Sequence, residues 1–525
     1  MRAANSPASR YAAGDVAVVL ILAFAAIAAY GPHVLGGGFY SDDWNFSADY
    51  AQASEDGFVG GLSGLFDTSV SRPVGTLYSA IRSALFGLDP TGHLIVAALL
   101  GLAVAGLFYA VLRMLGMPVV HAAAIALLAL LFPLADAARL WATASAANLG
   151  ISLYLGGVLL ALAGLRSAGL RSWTMHLVAT VLYAVSALTY ELTVFPVLLS
   201  FLLYRTQTPW KQALTRWAVD AGTIVAVLAL ATAQTTVPRE PLSSLPGRVL
   251  EVTEGALAVV SWSVVPLGNT TDLSAARVLG GLVVLVVLCA AVAQLLKSDR
   301  AAELRPWLIV GGAGALAIVA GYLVLVPATG YNPAHRGIAN RVNAFSSLGV
   351  AAFVYSLCML AALQVSWLVR RSATALAVGL AAVLAAGYAV QLYKDERDWR
   401  DAAVAQERVL EGLQESPRPR AGSRLVAFDV PAFAAPGVPV FHESWDLSGA
   451  LRIRWDDDSI EAYPVNNGRV VVCRAEQAYI SRRGEVTALP YGRVRFSSAE
   501  SARSTAIDSH ADCRAWLQDA REKPI

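Results

Sequence analysis

The chain has 525 residues, of which 56% are hydrophobic and only 15% charged, and 40 Lys and Arg against 38 Asp and Glu leave a net charge of +2. Apolar runs of membrane-crossing length recur as far as about residue 392, which excludes a soluble globular enzyme. No Walker-type glycine loop, no paired metalloprotease histidines and no basic run of nucleic-acid character is present, and the near-neutral balance identifies no partner.

In chain order, runs of roughly 17–25 apolar residues predict helices near 14–32, 91–115, 119–135, 143–165, 173–188, 191–205, 217–236, 275–296, 306–326, 343–367 and 373–391. The stretch 173–205 is divided because Glu191 at its middle would cost about 2.5–3.5 kcal/mol in hydrocarbon; two helices joined by a tight outer turn are expected. The stretch 256–266 is too short to span and reads as re-entrant or interfacial. The first helix is expected to remain as an anchor, since no convincing signal-peptide cleavage site follows it.

Between the first two spans lies the connection 33–71, which carries Asp42, Asp43, Asp49, Glu55, Asp56 and Asp67 and no Lys or Arg up to Ser71. It contains Gly36-Gly37-Gly38-Phe39-Tyr40-Ser41-Asp42-Asp43-Trp44, two adjacent carboxylates a few residues past the end of a span. After Arg72 comes a helix too short to span, 73–87, expected to lie along the membrane interface, and then Asp89-Pro90 as a start signal.

Lys and Arg set the orientation. Arg2 and Arg10, Arg113, Arg166 and Arg171, Arg205, Lys211 and Arg216, Lys297, Arg300 and Arg305, and Arg370 and Arg371 all fall on one side when the amino terminus is cytoplasmic. The connection 33–71 then faces outward, and about eleven crossings place everything after 392 outside as well. The Ala, Val, Leu, Gly and Arg bias is that of a GC-rich bacterium, so the expected location is a bacterial inner (plasma) membrane.

From Lys394 the long apolar runs end. The expected division is a membrane domain, 1–392, and a soluble extracytoplasmic α+β domain, 393–525. Trp399 to Leu413 reads as an amphipathic helix, and Leu425 to Val430, Leu451 to Trp455, Val470 to Cys473 and Gly492 to Phe496 read as strands. Cys473 and Cys513 are this domain's only cysteines, and an oxidising exterior would let them form a disulfide. Cys289 and Cys358 lie in membrane helices as apolar packing, and no Cys/His cluster suggests zinc.

A second polar segment, Pro327 to Asn343, falls on the outer side and carries His335, Arg336 and Arg341 with no acid. Arginine offers a planar donor fork suited to phosphate oxygens. An acidic loop and a basic loop on one face of the membrane suit a reaction with a phosphate leaving group and a general base.

Three features together resemble one family: the opening helix followed by Phe39-Tyr40-Ser41-Asp42-Asp43, the Arg72-Pro73 interfacial helix, and the Phe86-Gly87-Leu88-Asp89 turn into Leu94 to Leu115. The chain resembles the GT-C superfamily of integral-membrane glycosyltransferases, which includes protein O-mannosyltransferases, aminoarabinose transferases and O-antigen glucosyltransferases. The resemblance covers about residues 14–205, and the remainder only in hydropathy. It implies a polyprenyl-phosphate sugar donor, a cell-envelope glycan, lipid or protein acceptor, and inversion at the anomeric carbon. It also implies an acidic base in the first outer loop, which falls on Asp42 or Asp43. The neighbouring carboxylate can repel, position or share a divalent cation with it; otherwise no cofactor is implied.

Simpler readings stand beside these. Asp42-Asp43 can be a helix cap or a solvated turn. Arg336 and Arg341 can contact lipid headgroups or outer carboxylates, and His335 can be an ordinary loop histidine. Glu191 can cap the next helix through its dipole, and Asp136 and Arg139, three apart, can pair with each other. Arg72, Asp136, Arg139, Glu191, His335, Arg336 and Arg341 are the candidate substrate-binding residues. Trp44 and Trp141 read first as interfacial aromatics, and Asp456-Asp457-Asp458 as a solvated turn. A transporter or flippase of lipid-linked glycans is the competing class, although no repeated halves or midplane ionisable groups are evident. An assembly protein anchored by so many helices fits less well, and an O-antigen polymerase or ligase would show basic outer loops instead of an acidic first one.

Overall fold

The computed structural model describes residues 7–68, 71–234, 240–266, 274–297, 301–369, 372–466, 468–482 and 484–522. The sequon-like Asn269-Thr270-Thr271 and the basic residues Arg2, Arg300, Arg370 and Arg371 lie outside them. The fold is mostly helical with a small C-terminal sheet domain. Among the described residues nine helices are long and apolar enough to cross a membrane: Ala13–Gly36, Pro90–Met114, Thr143–Leu165, Gly169–Thr189, Trp210–Leu230, Arg277–Leu296, Ala301–Leu323, Ser346–Ser366 and Ala373–Gln414.

Two of the eleven predicted spans are broken instead. The run 119–135 is a helix only over Val119–Leu130, followed by a 3-10 turn Pro133–Ala135. Pro133 has no N–H for the ladder and disfavours helical backbone at Phe132, which is extended. The run 191–205 divides into Glu191–Thr193, Val194–Leu198 and Ser200–Arg205. The break before it is at Tyr190, in extended backbone, so Glu191 opens the return segment. The stretch 256–266 belongs mostly to a 20-residue helix, Leu245–Val264.

By packing, the residues form two compact units that interleave in sequence: Met1–Leu35, Ser69–Thr76 and Leu94–Glu396 in one, Gly36–Thr68, Leu77–His93 and Arg397–Ile525 in the other. In the first unit, helices meet through small residues, as expected where lipid removes the hydrophobic drive for helix association. Gly314 and Gly349 face each other so closely that a Cβ on either would lie 2.7 or 2.6 Å from the other's carbonyl oxygen. A buried polar network joins Gly169–Thr189 to Trp210–Gln234: Thr180 and Tyr204 donate to Asp220 at 2.6 and 2.7 Å, and His176 lies 3.4 Å from it. Arg216 stacks 3.5 Å over Trp173 and donates to the Ser172 hydroxyl. Nothing in the hydropathy pattern announces this network.

The second unit contains the helices Asp42–Ala53, Gly57–Thr68 and Ser444–Trp455, and a sheet of four strands in the order Glu461–Pro464, Arg424–Phe428, Val494–Ser498, Ser504–Ile507. The first three run parallel and the last antiparallel. A separate antiparallel meander comprises Val470–Cys473, Gln477–Arg482 and Glu485–Pro490. Val426, Phe428, Phe496, Ile480, Leu489 and Trp516 form the core. Cys473 and Cys513 are bonded, tying the meander to the helix His510–Glu522.

Two local expectations are corrected here. Leu451 to Trp455 is the end of the helix Ser444–Trp455, not a strand. Leu-Arg-Ile-Arg-Trp alternates, but a reciprocal capping box between Glu443 and Asp446 nucleates a helix upstream that propagates through it. Trp399 to Leu413 is not a separate helix but part of the uninterrupted 42-residue helix Ala373–Gln414.

Candidate functional site

In the second unit, Asp42 and Asp43 open the helix Asp42–Ala53. Gly38 donates its N–H to the Tyr40 hydroxyl at 3.1 Å, and that hydroxyl donates to the Trp399 carbonyl at 2.9 Å. The Tyr40 ring is fully buried, edge-on to Trp399. Phe39 packs edge-on against Trp44 and His93. Between these anchors and the helix, Ser41 adopts φ 48° and ψ −119°. For a residue with a Cβ that is strained backbone. Ser41 makes no side-chain cap, so the capping reading fails for the serine; instead Asp43 reaches back, accepting the Tyr40 N–H at 3.1 Å.

The two carboxylates therefore differ. Asp43 is buried at 3% exposure. Asp42 is only partly buried and accepts a hydrogen bond from the Trp445 indole at 3.1 Å. The helix carrying Trp445 is pressed onto the carboxylate helix at Gly449, where an added Cβ would lie 2.7 Å from Trp44 and Asn45 backbone atoms. Arg452 approaches Asp49 at 3.4 Å, and Asn45 donates to the other Asp49 oxygen at 2.8 Å.

The first unit gathers most of the other predicted residues. Arg72 donates Nε to Glu191 and stacks 4.2 Å over the Tyr190 ring. Arg341 lies 5.1 Å over Trp141 and 5.8 Å over Tyr331, and donates to the Ile338 carbonyl. Arg72 with Glu191 and Tyr190 forms one cluster, and Arg341 with Trp141 and Tyr331 forms another. Trp141 is a buried partner of Arg341 rather than a belt aromatic.

Asp136 and Arg139 do not pair; each finds separate partners. Asp136 accepts from Asn340, whose carbonyl accepts the Ala137 N–H at 3.0 Å. Burial pushes the Asp136 carboxyl up to about 6, against the opposing effects of the Asn340 hydrogen bond and the Arg139 and Arg336 charges. Arg139 is buried and donates to the Phe132 and Ala129 carbonyls and the Tyr30 hydroxyl. The bonds of Asn340 to Asp136 and Ala137, and of Asn343 to the Leu134 carbonyl, pin the turn 133–143 to the 3-10 segment Gly337–Asn343, which carries Arg341. Arg336 is engaged by Asp395 at 3.4 Å, a carboxylate to which the sequence assigns no role. Burial pushes the His335 imidazole down, and the Arg277 charge adds to this.

Arg248 was not legible as a site residue. It donates to Asn332 at 2.8 Å, to the Tyr331 carbonyl at 2.7 Å and to the Ala328 carbonyl at 3.2 Å, and pairs with Glu251 at 2.6 Å. It holds the backbone that presents Tyr331. It stands in the first turn of the helix Leu245–Val264, which also carries Glu251 and Glu254, and no local pattern marks it. Among the described residues no group of three or more His, Cys, Asp or Glu side chains is placed to hold a metal ion.

No family model matches the chain, and no curated protein matches it. In fold it is similar to the oligosaccharyltransferase of Archaeoglobus fulgidus, crystallised tethered to an acceptor peptide with the NVT sequon, at a TM-score of 0.43 and 11% identity over 86% of this chain. The chain spans 64% of that enzyme's length. It is also similar to ArnT from Cupriavidus metallidurans in the apo state, at a TM-score of 0.34 and 16% identity, covering 83% of this chain and 85% of that one. For ArnT bound to undecaprenyl phosphate the values are 0.32 and 14%, covering 82% and 86%.

Proposed function

We propose that this chain is a GT-C-type membrane glycosyltransferase that moves a sugar from a polyprenyl-phosphate donor to a cell-envelope glycan, lipid or protein on the outer face of a bacterial inner membrane. The observation that carries the reading is the carboxylate pair itself: a strained Ser41 turn, clamped by buried Phe39 and Tyr40, that presents one partly exposed carboxylate beside a buried one. Strain of this kind persists only where the surroundings over-determine it, and it clusters at functional sites.

Asp42 is the base in this reading, and Asp43, committed to the Tyr40 N–H, braces the turn. The Asp42 carboxylate takes the proton of the acceptor hydroxyl as that oxygen bonds to the anomeric carbon. The bond from the anomeric carbon to the phosphate oxygen breaks with its electron pair staying on the phosphate, and attack from the opposite face inverts the centre. A departing phosphate requires cationic donors, and Arg72 and Arg341 carry guanidinium groups of that kind within the first unit. Glu191 orients Arg72, and Trp141 and Tyr331 orient Arg341. The domain after 392 lies outside the cytoplasm in this reading, where the Cys473–Cys513 bond persists.

The test is sugar release from radiolabelled polyprenyl-phosphate hexoses by the purified full chain in lipid, with wild type beside Asp42→Asn. Turnover in wild type that is lost in the folded variant supports the reading. Absence of turnover in wild type across several donors and acceptor extracts would move the assignment to transport of lipid-linked glycans.

A further inference from the structure

We infer that Trp445, far from the carboxylates in sequence, is a positioning residue for Asp42. The inference rests on the proposed assignment of Asp42 as the base. The indole Nε1 of Trp445 donates to Asp42 Oδ1 at 3.1 Å across a sequence separation of 403. Core packing does not account for this tryptophan, because 46% of its surface is exposed and a half-solvated ring forfeits much of its hydrophobic gain. Three buried indoles in the same unit, Trp44, Trp399 and Trp516, have no hydrogen-bond partner for their N–H. The exposed indole is the one aimed at a carboxylate.

Its position is enforced from several directions. Trp445 sits in the first turn of the helix Ser444–Trp455, immediately before the Asp446 of the capping box. Glu443 is gripped by Arg469 at 2.7 Å and by Arg482, and His442 Nδ1 lies 3.1 Å from Asp446. Gly449 lets the helix touch the backbone of Trp44 and Asn45, and Arg452 reaches Asp49. The start of the helix is thereby fixed on the carboxylate helix, and the indole fixes the rotation of the Asp42 carboxylate. With Oδ1 occupied by the indole, Oδ2 is the oxygen left to meet the acceptor hydroxyl. A base held within hydrogen-bond geometry before substrate arrives is the kind of preorganisation that a small displacement can spoil.

The experiment compares Trp445→Phe, which keeps a ring and removes the donor, with Trp445→His, which restores an N–H, in the full chain in lipid. A hydrogen bond to a charged group corresponds to roughly a 10- to 100-fold loss of kcat in the Phe variant. KM for donor and acceptor should stay near wild type, thermal unfolding should be unchanged, and the His variant should recover part of kcat. Wild-type kcat in Trp445→Phe, together with an inactive Asp42→Asn, would overturn the positioning role and leave the base assignment standing. An active Asp42→Asn would overturn the base assignment. A readout independent of activity is 19F NMR of 5-fluorotryptophan-labelled protein, with the residue 445 line assigned by its loss in Trp445→Phe. Asp42→Asn should shift that line, and an unmoved line overturns the contact itself.

Discussion

Arg72 donates its Nε to both carboxylate oxygens of Glu191, at 3.0 and 3.2 Å, across a sequence separation of 119. The side chains are 35% and 37% exposed, and an ion pair that open to solvent contributes at most about 1 kcal/mol. Its consequence is orientation of the guanidinium rather than stability. Glu191→Gln should therefore leave the unfolding temperature nearly unchanged while lowering kcat/KM by about tenfold or more. Calorimetry and steady-state kinetics on one preparation separate the two; a parallel fall in both would assign Glu191 to folding.

The two adjacent carboxylates should respond differently to amidation. Asp42→Asn removes the proposed base and should lower kcat by about 10²- to 10⁴-fold without a change in unfolding. Asp43→Asn disturbs the acceptor for the Tyr40 N–H and should destabilise the unit by about 1 kcal/mol. Single-turnover assays and thermal melts, read together, test the division.

Cys473 and Cys513 close a loop with a sequence separation of 40. Replacing both with Ser should cost about 3–4 kcal/mol in the C-terminal domain. Limited proteolysis with and without reductant reports this directly, and equal protease resistance would show that packing alone suffices.

Arg248→Ala would leave the Tyr331 and Ala328 carbonyls and Glu251 without their shared donor. Glu251 is half exposed, so the loss falls mainly on the buried carbonyls left without a donor, about 1–3 kcal/mol. The loss should concentrate in the loop that carries Tyr331, raising KM for the lipid donor before kcat falls. Hydrogen exchange over 325–343 is the measurement, and protection equal to wild type would refute the clamp.

The Asp136 carboxyl is pushed up to about 6 by burial, above its ordinary value of 3.8. Its folded-state pKa is raised, so its contribution to stability is fully present below the unfolded value and is lost as pH rises through about 6. Wild type should lose stability across that window, and Asp136→Asn should flatten the dependence. Melting temperature against pH for the two proteins checks the sign.

By itself the sequence determined the elements whose signal is local. Length and apolarity mark most of the spans, because the hydrocarbon thickness sets a minimum run and the solvent is uniform along it. The short helix at 73–87, the break before Glu191 and the carboxylate pair after the first span could be read the same way, since each needs only neighbouring residues. The alternation Leu451 to Trp455 misled because a cap several residues upstream decides whether a helix propagates through it, and Pro133 ended a span that hydropathy alone continued.

Tertiary structure decided which side chains meet. Arg72 with Glu191, Arg341 with Trp141, Asp136 with Asn340 and Trp445 with Asp42 are all long-range pairs, and no periodicity encodes them. Side-chain partners depend on the packing of whole elements, which is settled by the collective burial and close contact of many residues. For the same reason the sequence offered Asp42 and Asp43 as equals, and only the fold, by burying one and turning the other toward an indole, made them different.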